Sequence, residues 1–152
     1  MVMNIKLDNM DDTKGLAEKL AILVKVGDII ELKGDLGSGK TTFSRYFINA
    51  LTKDKLTILS PTFNLLFVYN TEKGMVWHFD LYRLNNKEEV WELGIEEAID
   101  SGITLIEWPD LISDILPLDK LVLNFAFSSN DNKRYIEIIP KGIWCNRLKG
   151  LL

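Results

Sequence analysis

The sequence predicts an α/β fold: a central, mostly parallel sheet with antiparallel hairpin additions and flanking helices. Three observations lead there. Short apolar, β-favouring runs alternate with stretches of helical periodicity, the pattern of strands joined through helices. One junction, Gly34-Asp35-Leu36-Gly37-Ser38-Gly39-Lys40-Thr41-Thr42, has the form G-x-x-x-x-G-K-[ST], a loop that works between a strand and a helix. Two further pairs of β-favouring runs are separated by short polar stretches, as hairpins are.

Each element has its own signal. Residues 13–25 read as an amphipathic helix with Leu16, Leu20, Leu23 and Val24 on one side and Asp11 or Asp12 as cap. Gly27 turns the chain into a strand at 28–33. Phe43, Tyr46, Phe47, Ala50 and Leu51 fall at helical spacing over 41–51. Leu56-Thr57-Ile58-Leu59 reads as a strand ended by Ser60-Pro61, since proline biases the residue before it towards extended geometry. Runs at 65–69 and 75–80, joined by Asn70-Thr71-Glu72-Lys73-Gly74, predict a hairpin. A short helix over 86–93 is stopped by Gly94, and 95–100 adds another turn. Ile103-Thr104-Leu105-Ile106 is a buried strand. Runs at 121–127 and 134–139 make a second hairpin.

The glycine-rich loop carries the chemistry. Gly34, Gly37 and Gly39 let the backbone turn tightly and aim successive N–H groups at one anion. The following helix adds its N-terminal dipole. Lys40 supplies a flexible cation for the β- and γ-phosphates, and Thr41 a hydroxyl for Mg²⁺. This implies a nucleoside triphosphate ligand and the P-loop NTPase fold. A metal needs a further oxygen ligand, and Glu107, at the end of the buried 103–106 strand and just before Pro109, is the first choice, with Asp110 behind it. Asp80 closes the run Met75–Phe79; an acid there can hold a metal-bound water or orient the attacking water, and a salt bridge or helix cap is the structural alternative. Thr62, after the strand expected at 56–59, lies where nucleotide-sensing segments lie. His78, the sole histidine, alternates with apolar neighbours and reads as a hydrogen-bonded structural histidine rather than a catalytic one. Asn86-Lys87-Glu88-Glu89 imitates a guanine-reading element, but it ends in Glu and follows no apolar strand. It reads better as a helix start capped by Asn85 or Asn86, which favours adenine.

The 152 residues suit one domain spanning 1–152. No apolar run approaches the ~20 residues that span a bilayer, and the N-terminus lacks the apolar block of a secretory signal. A single cysteine, Cys145, has no disulfide partner within the chain. A cytoplasmic location is expected. A net charge of −4 makes the whole chain a poor electrostatic match for nucleic acid. Glu88, Glu89, Glu92, Glu96, Glu97 and Asp100 read as a solvated helix face, while Lys133, Arg134, Lys141, Arg147 and Lys149 make the tail basic.

Five stretches together resemble one family. They are the loop at 34–42, Ser60-Pro61-Thr62-Phe63, His78-Phe79-Asp80-Leu81-Tyr82-Arg83-Leu84, Glu92-Leu93-Gly94-Ile95-Glu96-Glu97 and Leu105-Ile106-Glu107-Trp108-Pro109. In order and spacing they are similar to the TsaE (YjeE-type) family, the ATPase component of the bacterial machinery for threonylcarbamoyladenosine in tRNA. The resemblance implies an ATPase with ATP and Mg²⁺, weak alone. Its partners would be TsaB and TsaD homologues, with tRNA met indirectly through that complex and no membrane involved. Carried over by motif, Gly37, Ser38, Gly39, Lys40, Thr41 and Thr42 would hold phosphates. Thr41 and Glu107 would hold the metal, Asp80 would lie at the nucleotide, Thr62 in the switch segment, and Arg134 would touch nucleotide. The catalytic set is then Lys40, Asp80, Glu107 and Thr62. Trp108 either packs or guards the nucleotide edge. Two other readings of the loop are a small-molecule kinase and a nucleotide switch that needs no hydrolysis.

Overall fold

The structure, a computed structural model, describes residues 1–53, 58–128 and 133–151. Among them the strands are β1 (Met3–Leu7), β2 (Ile29–Lys33), β3 (Leu66–Thr71), β4 (Gly74–Asp80), β5 (Ile103–Glu107), β6 (Lys120–Ser128) and β7 (Lys133–Lys141). The helices are α1 (Met10–Leu23), α2 (Lys40–Ala50), α3 (Lys87–Glu92), α4 (Ile95–Ser101) and α5 (Trp144–Arg147). The strands form one sheet in the order β1-β7-β6-β2-β5-β4-β3. Its centre, β6-β2-β5-β4, is parallel. The β3–β4 and β6–β7 hairpins and the β1–β7 pair add antiparallel strands outside it. The predicted fold class is borne out.

Strand alternation sorts side chains to two faces. One face packs Ile30 and Leu32 of β2, Val76 of β4 and Leu105 of β5 against Leu16, Leu20, Phe43 and Phe47 of α1 and α2. The other packs Ile29, Phe79 and Ile106 against Val90, Ile95 and Ala98 of α3 and α4. Glu88, Glu89, Glu92, Glu96, Glu97 and Asp100 are all exposed, as a solvated face should be. No described helix is long and apolar enough to cross a membrane.

Several boundaries differ from expectation. The first helix spans Met10–Leu23 rather than 13–25, and its cap is Asn9, not Asp11 or Asp12. Asn9 Oδ1 accepts from the Asp12 N–H at 3.0 Å, while the Asp12 carboxylate accepts from the Asp8 N–H at 2.8 Å. Asp12 thus ties down the residue before the cap rather than serving as the cap itself. Ile58 and Leu59 are not in a strand; Leu56 and Thr57, the rest of that expected strand, lie outside the described residues. The β3–β4 turn is tighter than predicted, because pairing continues to Thr71 and Gly74. Asn86 does cap α3, accepting from the Glu88 N–H at 3.0 Å. The edge strand β1 and the short α5 were not anticipated.

Candidate functional site

The site forms where β2, β4 and β5 end at their carboxyl edge, the usual ligand position in parallel sheets. The chain leaves β2 through Gly34, whose φ is +138°. A Cβ there would lie 2.5 Å from the Phe125 carbonyl oxygen, so the close approach of β6 demands glycine. Gly39, with φ of 110°, is the N-cap of α2 and contributes no side-chain cap. The first-turn N–H groups therefore have no partner within the helix, and the positive end of the helix dipole meets the cavity above them. Ser38 Oγ is buried and unpartnered.

Lys40 opens α2 and is itself buried. Its ammonium donates to the Gly34 carbonyl and, at 3.3 Å, to that of Asp35. It also lies 3.7 Å from the centroid of the Trp108 ring, a cation–π contact. Burial pushes this ammonium below its usual 10.5, while the carboxylates of Glu107, Asp80 and Asp35 pull the other way.

The carboxylates arrive by strand periodicity. Alternation along β4 puts His78 and Asp80 on the face of Val76, towards α2. Asp80 stands in register with Glu107 on β5. Both acids are buried. Thr41 Oγ1 donates to Glu107 Oε1 at 2.9 Å, with Oε2 at 3.2 Å. His78 Nε2 lies 2.6 Å from Glu107 Oε2. Asp80 Oδ2 accepts from the Thr62 hydroxyl at 2.9 Å, and Oδ1 from the Tyr82 N–H at 3.0 Å. Asp110, the second choice beside Glu107, faces away. Its carboxylate is 80 % exposed and pairs with Lys33 at 3.5 Å.

A cavity of about 280 Å³ joins these groups. Gly37, Ser38, Gly39, Lys40, Thr41, Thr42, Thr62, Asp80, Glu107 and Arg134 all line it. The residues singled out from the sequence thus converge, although they come from β7 and from segments more than fifty positions apart. Arg134 reaches over from β7, its Nη2 3.4 Å from the Gly37 carbonyl oxygen. Trp108 lines the cavity too. It has φ of 58°, an αL backbone that costs a non-glycine residue roughly 1 kcal/mol. Leu65, with φ of 67°, is likewise strained, and its carbonyl accepts the Asp80 N–H at 2.9 Å. The two strained residues thus adjoin the two site acids.

Two features escaped the sequence. One is the His78–Glu107 contact, which depends on strand register. The other is a neighbouring cavity of about 350 Å³, lined by Asn9, Met10, Thr13 and Phe127 and meeting the first at Arg134.

Known proteins share this chain's sequence and fold. The family model described as "Threonylcarbamoyl adenosine biosynthesis protein TsaE" matches residues 7–136. The "tRNA threonylcarbamoyladenosine biosynthesis protein TsaE" of Rickettsia felis is 44 % identical over 133 residues, covering 88 % of this chain and 77 % of that protein. The protein of the same description from Bacillus subtilis is 35 % identical over 126 residues, 82 % and 78 % of the two chains. Among solved structures, Bacillus subtilis YdiB superposes with a TM-score of 0.81 at 28 % identity, covering 99 % of this chain and 94 % of that one. With the matched region running from the end of β1 into β7 and enclosing the whole loop-and-carboxylate cavity, the chain belongs to the TsaE family of tRNA threonylcarbamoyladenosine biosynthesis proteins.

Proposed function

We propose that this chain is the ATP-binding, Mg²⁺-dependent ATPase subunit required for threonylcarbamoyladenosine modification of tRNA. It acts in the cytoplasm on a TsaB–TsaD complex, driving or resetting that complex's cycle, and is one domain throughout. The observation that carries the reading is the glycine-shaped loop on the N-terminus of α2, with the Lys40 ammonium inside it and the Thr41–Glu107 pair beside it.

The residues fit both groups. Uncommitted helix N–H groups, the unpartnered Ser38 hydroxyl and the cations of Lys40 and Arg134 suit a polyphosphate. Thr41 and Glu107 offer hard oxygens of the kind Mg²⁺ takes. Among the described residues no group of three or more His, Cys, Asp or Glu side chains could hold a metal alone. Mg²⁺ at Thr41 and Glu107 supplies neutralisation of charge on the phosphoryl oxygens.

In this reading Gly37 to Thr42 and Arg134 position the triphosphate. Asp80 accepts a hydrogen bond from the attacking water and aims it at the terminal phosphorus. The bond to the leaving ADP oxygen then breaks as the water oxygen bonds, and the water's proton passes to the inorganic phosphate that forms. Thr62, bonded to Asp80, reports whether the terminal phosphate is present. The cavity beside Asn9, Met10, Thr13 and Phe127 takes the base. Adenine remains preferred, because the guanine-like element at 86–89 is the start of α3.

Weak turnover alone has a physical basis. Both Asp80 oxygens are engaged by the chain's own Thr62 and Tyr82. Arg83, a candidate arginine finger, stacks on Phe63 at 4.7 Å. A partner that rearranges this segment would complete the site.

Reconstitution with TsaB and TsaD homologues and tRNA tests the proposal, by following ATP turnover and repeated modification cycles. Lys40→Ala is expected to abolish both, and full cycling by that variant contradicts it. Phosphorylation of a small metabolite by the isolated chain would favour a kinase instead. Sustained modification by Asp80→Asn or Glu107→Gln would favour a switch without hydrolysis.

A further inference from the structure

We infer that His78 is a positioning residue for the metal site. Its Nε2–H engages one oxygen of Glu107, so that the carboxylate offers a cation a single oxygen and the site favours Mg²⁺ over larger cations. The inference rests on the proposal that Thr41 and Glu107 hold Mg²⁺.

His78 is fully buried, and its Nε2 stands 2.6 Å from Glu107 Oε2. Thr41 Oγ1 is nearest the other oxygen, Oε1, at 2.9 Å. An ionised carboxylate only accepts hydrogen bonds, so Nε2 is the donor. His78 Nδ1 is buried without a partner. The Nε2–H tautomer is therefore the one that strands no N–H. The two residues sit diagonally on adjacent parallel strands, since Glu107 pairs with Asp80, two residues beyond His78. A buried ring held by the sheet on one side of a carboxylate restricts that carboxylate's rotation. Groups that orient a metal ligand in this way typically contribute ten- to a hundredfold in metal affinity.

The chemistry discriminates between cations. Mg²⁺ demands a compact octahedron and is served by one oxygen per carboxylate, whereas Ca²⁺ accepts a carboxylate through both oxygens. Freeing Oε2 should therefore cost Mg²⁺ affinity and cost Ca²⁺ less.

The test measures binding of the β,γ-imido analogue of ATP in EDTA, in Mg²⁺ and in Ca²⁺, for the native chain and for His78→Leu, His78→Asn and His78→Gln. Glutamine places an amide N–H the same number of bonds from Cβ as Nε2, and asparagine falls one bond short. Leu and Asn are expected to leave affinity in EDTA unchanged, to lose about tenfold or more of the Mg²⁺ enhancement, and to raise the Ca²⁺-to-Mg²⁺ ratio; Gln restores both. A native Mg²⁺ enhancement and cation ratio in the Leu or Asn variant overturns the inference. So does an equal fall in all three conditions, which marks a merely structural histidine. If Leu does not fold, Asn carries the same reading, and ¹⁵N spectra of the unmodified protein give an independent one: an Nδ1–H tautomer for His78 also overturns it. Absence of any metal enhancement in the native chain refutes instead the proposed metal site.

Discussion

Lys40 is under opposed demands. It is buried and holds its ammonium against two carbonyls and an indole face. Burial lowers its affinity for a proton, while three carboxylates partly restore it. A polyphosphate at the loop would favour the charged form strongly. The sign follows directly: the bound state holds the proton more tightly than the free state. Binding should therefore take up protons as pH rises through the lowered range beneath 10.5, and affinity should fall across that range. Calorimetry of ATP binding in buffers of different ionisation enthalpy checks this; proton release on binding would contradict it. The residues of this loop were legible in the sequence because their chemistry is local: tight turn, helix start and cation lie within nine positions. Asp80 and Glu107 were legible as acids at strand ends. Their hydrogen-bond partners were not, because His78 meets Glu107 only once β4 and β5 adopt a particular register.

Secondary elements here are tied down by groups outside themselves. α1 has no basic residue in its last turn. Lys73, from the β3–β4 turn, fills that role by donating to the carbonyls of Ala21, Ile22 and Val24 at 2.8, 2.7 and 3.0 Å. The neighbouring Glu72 N–H bonds the Leu51 carbonyl at the end of α2 at 3.0 Å. One hairpin turn thus caps two helices. Lys73→Met should cost about 1–2 kcal/mol, read by urea unfolding; an unchanged midpoint would argue against the cap. Gly34→Ala combines positive φ with overlap on the Phe125 carbonyl and should cost at least about 2 kcal/mol along with nucleotide binding. Normal stability and binding in that variant would refute the close approach. Most elements were readable from periodicity. The exceptions have physical causes. β1 lies at a sheet edge, and although Met3–Leu7 alternates apolar and polar throughout, its five residues carry only a short period-two signal. The segment around Ile58 is apolar and β-favouring, yet Ile58 and Leu59 pair with no strand. The α1 boundary shifted because Asn9 outcompeted Asp11 and Asp12 for the cap.

At the scale of the molecule, strand order decides what meets what, and local pattern does not encode it. The chain places β2 centrally with β5 and β6 on either side, so the loop after β2 can collect Glu107 from one neighbour and Phe125 and Arg134 from the other side. The C-terminus is locked to the same central strand. Trp144 is fully buried, and Arg147 lies 4.5 Å over its ring and binds the buried carboxylate of Asp28, just before β2. Arg147→Ala strands that charge and should cost about 3 kcal/mol. Asp28→Asn combined with Arg147→Ala should cost less than the sum of the single changes. Strict additivity in urea unfolding would show the pair to be uncoupled. The central claim, that the start of α2 seats a magnesium-bound adenosine triphosphate, is tested most directly by calorimetric titration of the folded chain with Mg²⁺–ATP. The account predicts one saturable site per chain that Lys40→Ala abolishes. No heat from any magnesium–nucleotide mixture, even with the TsaB and TsaD homologues present, would contradict it.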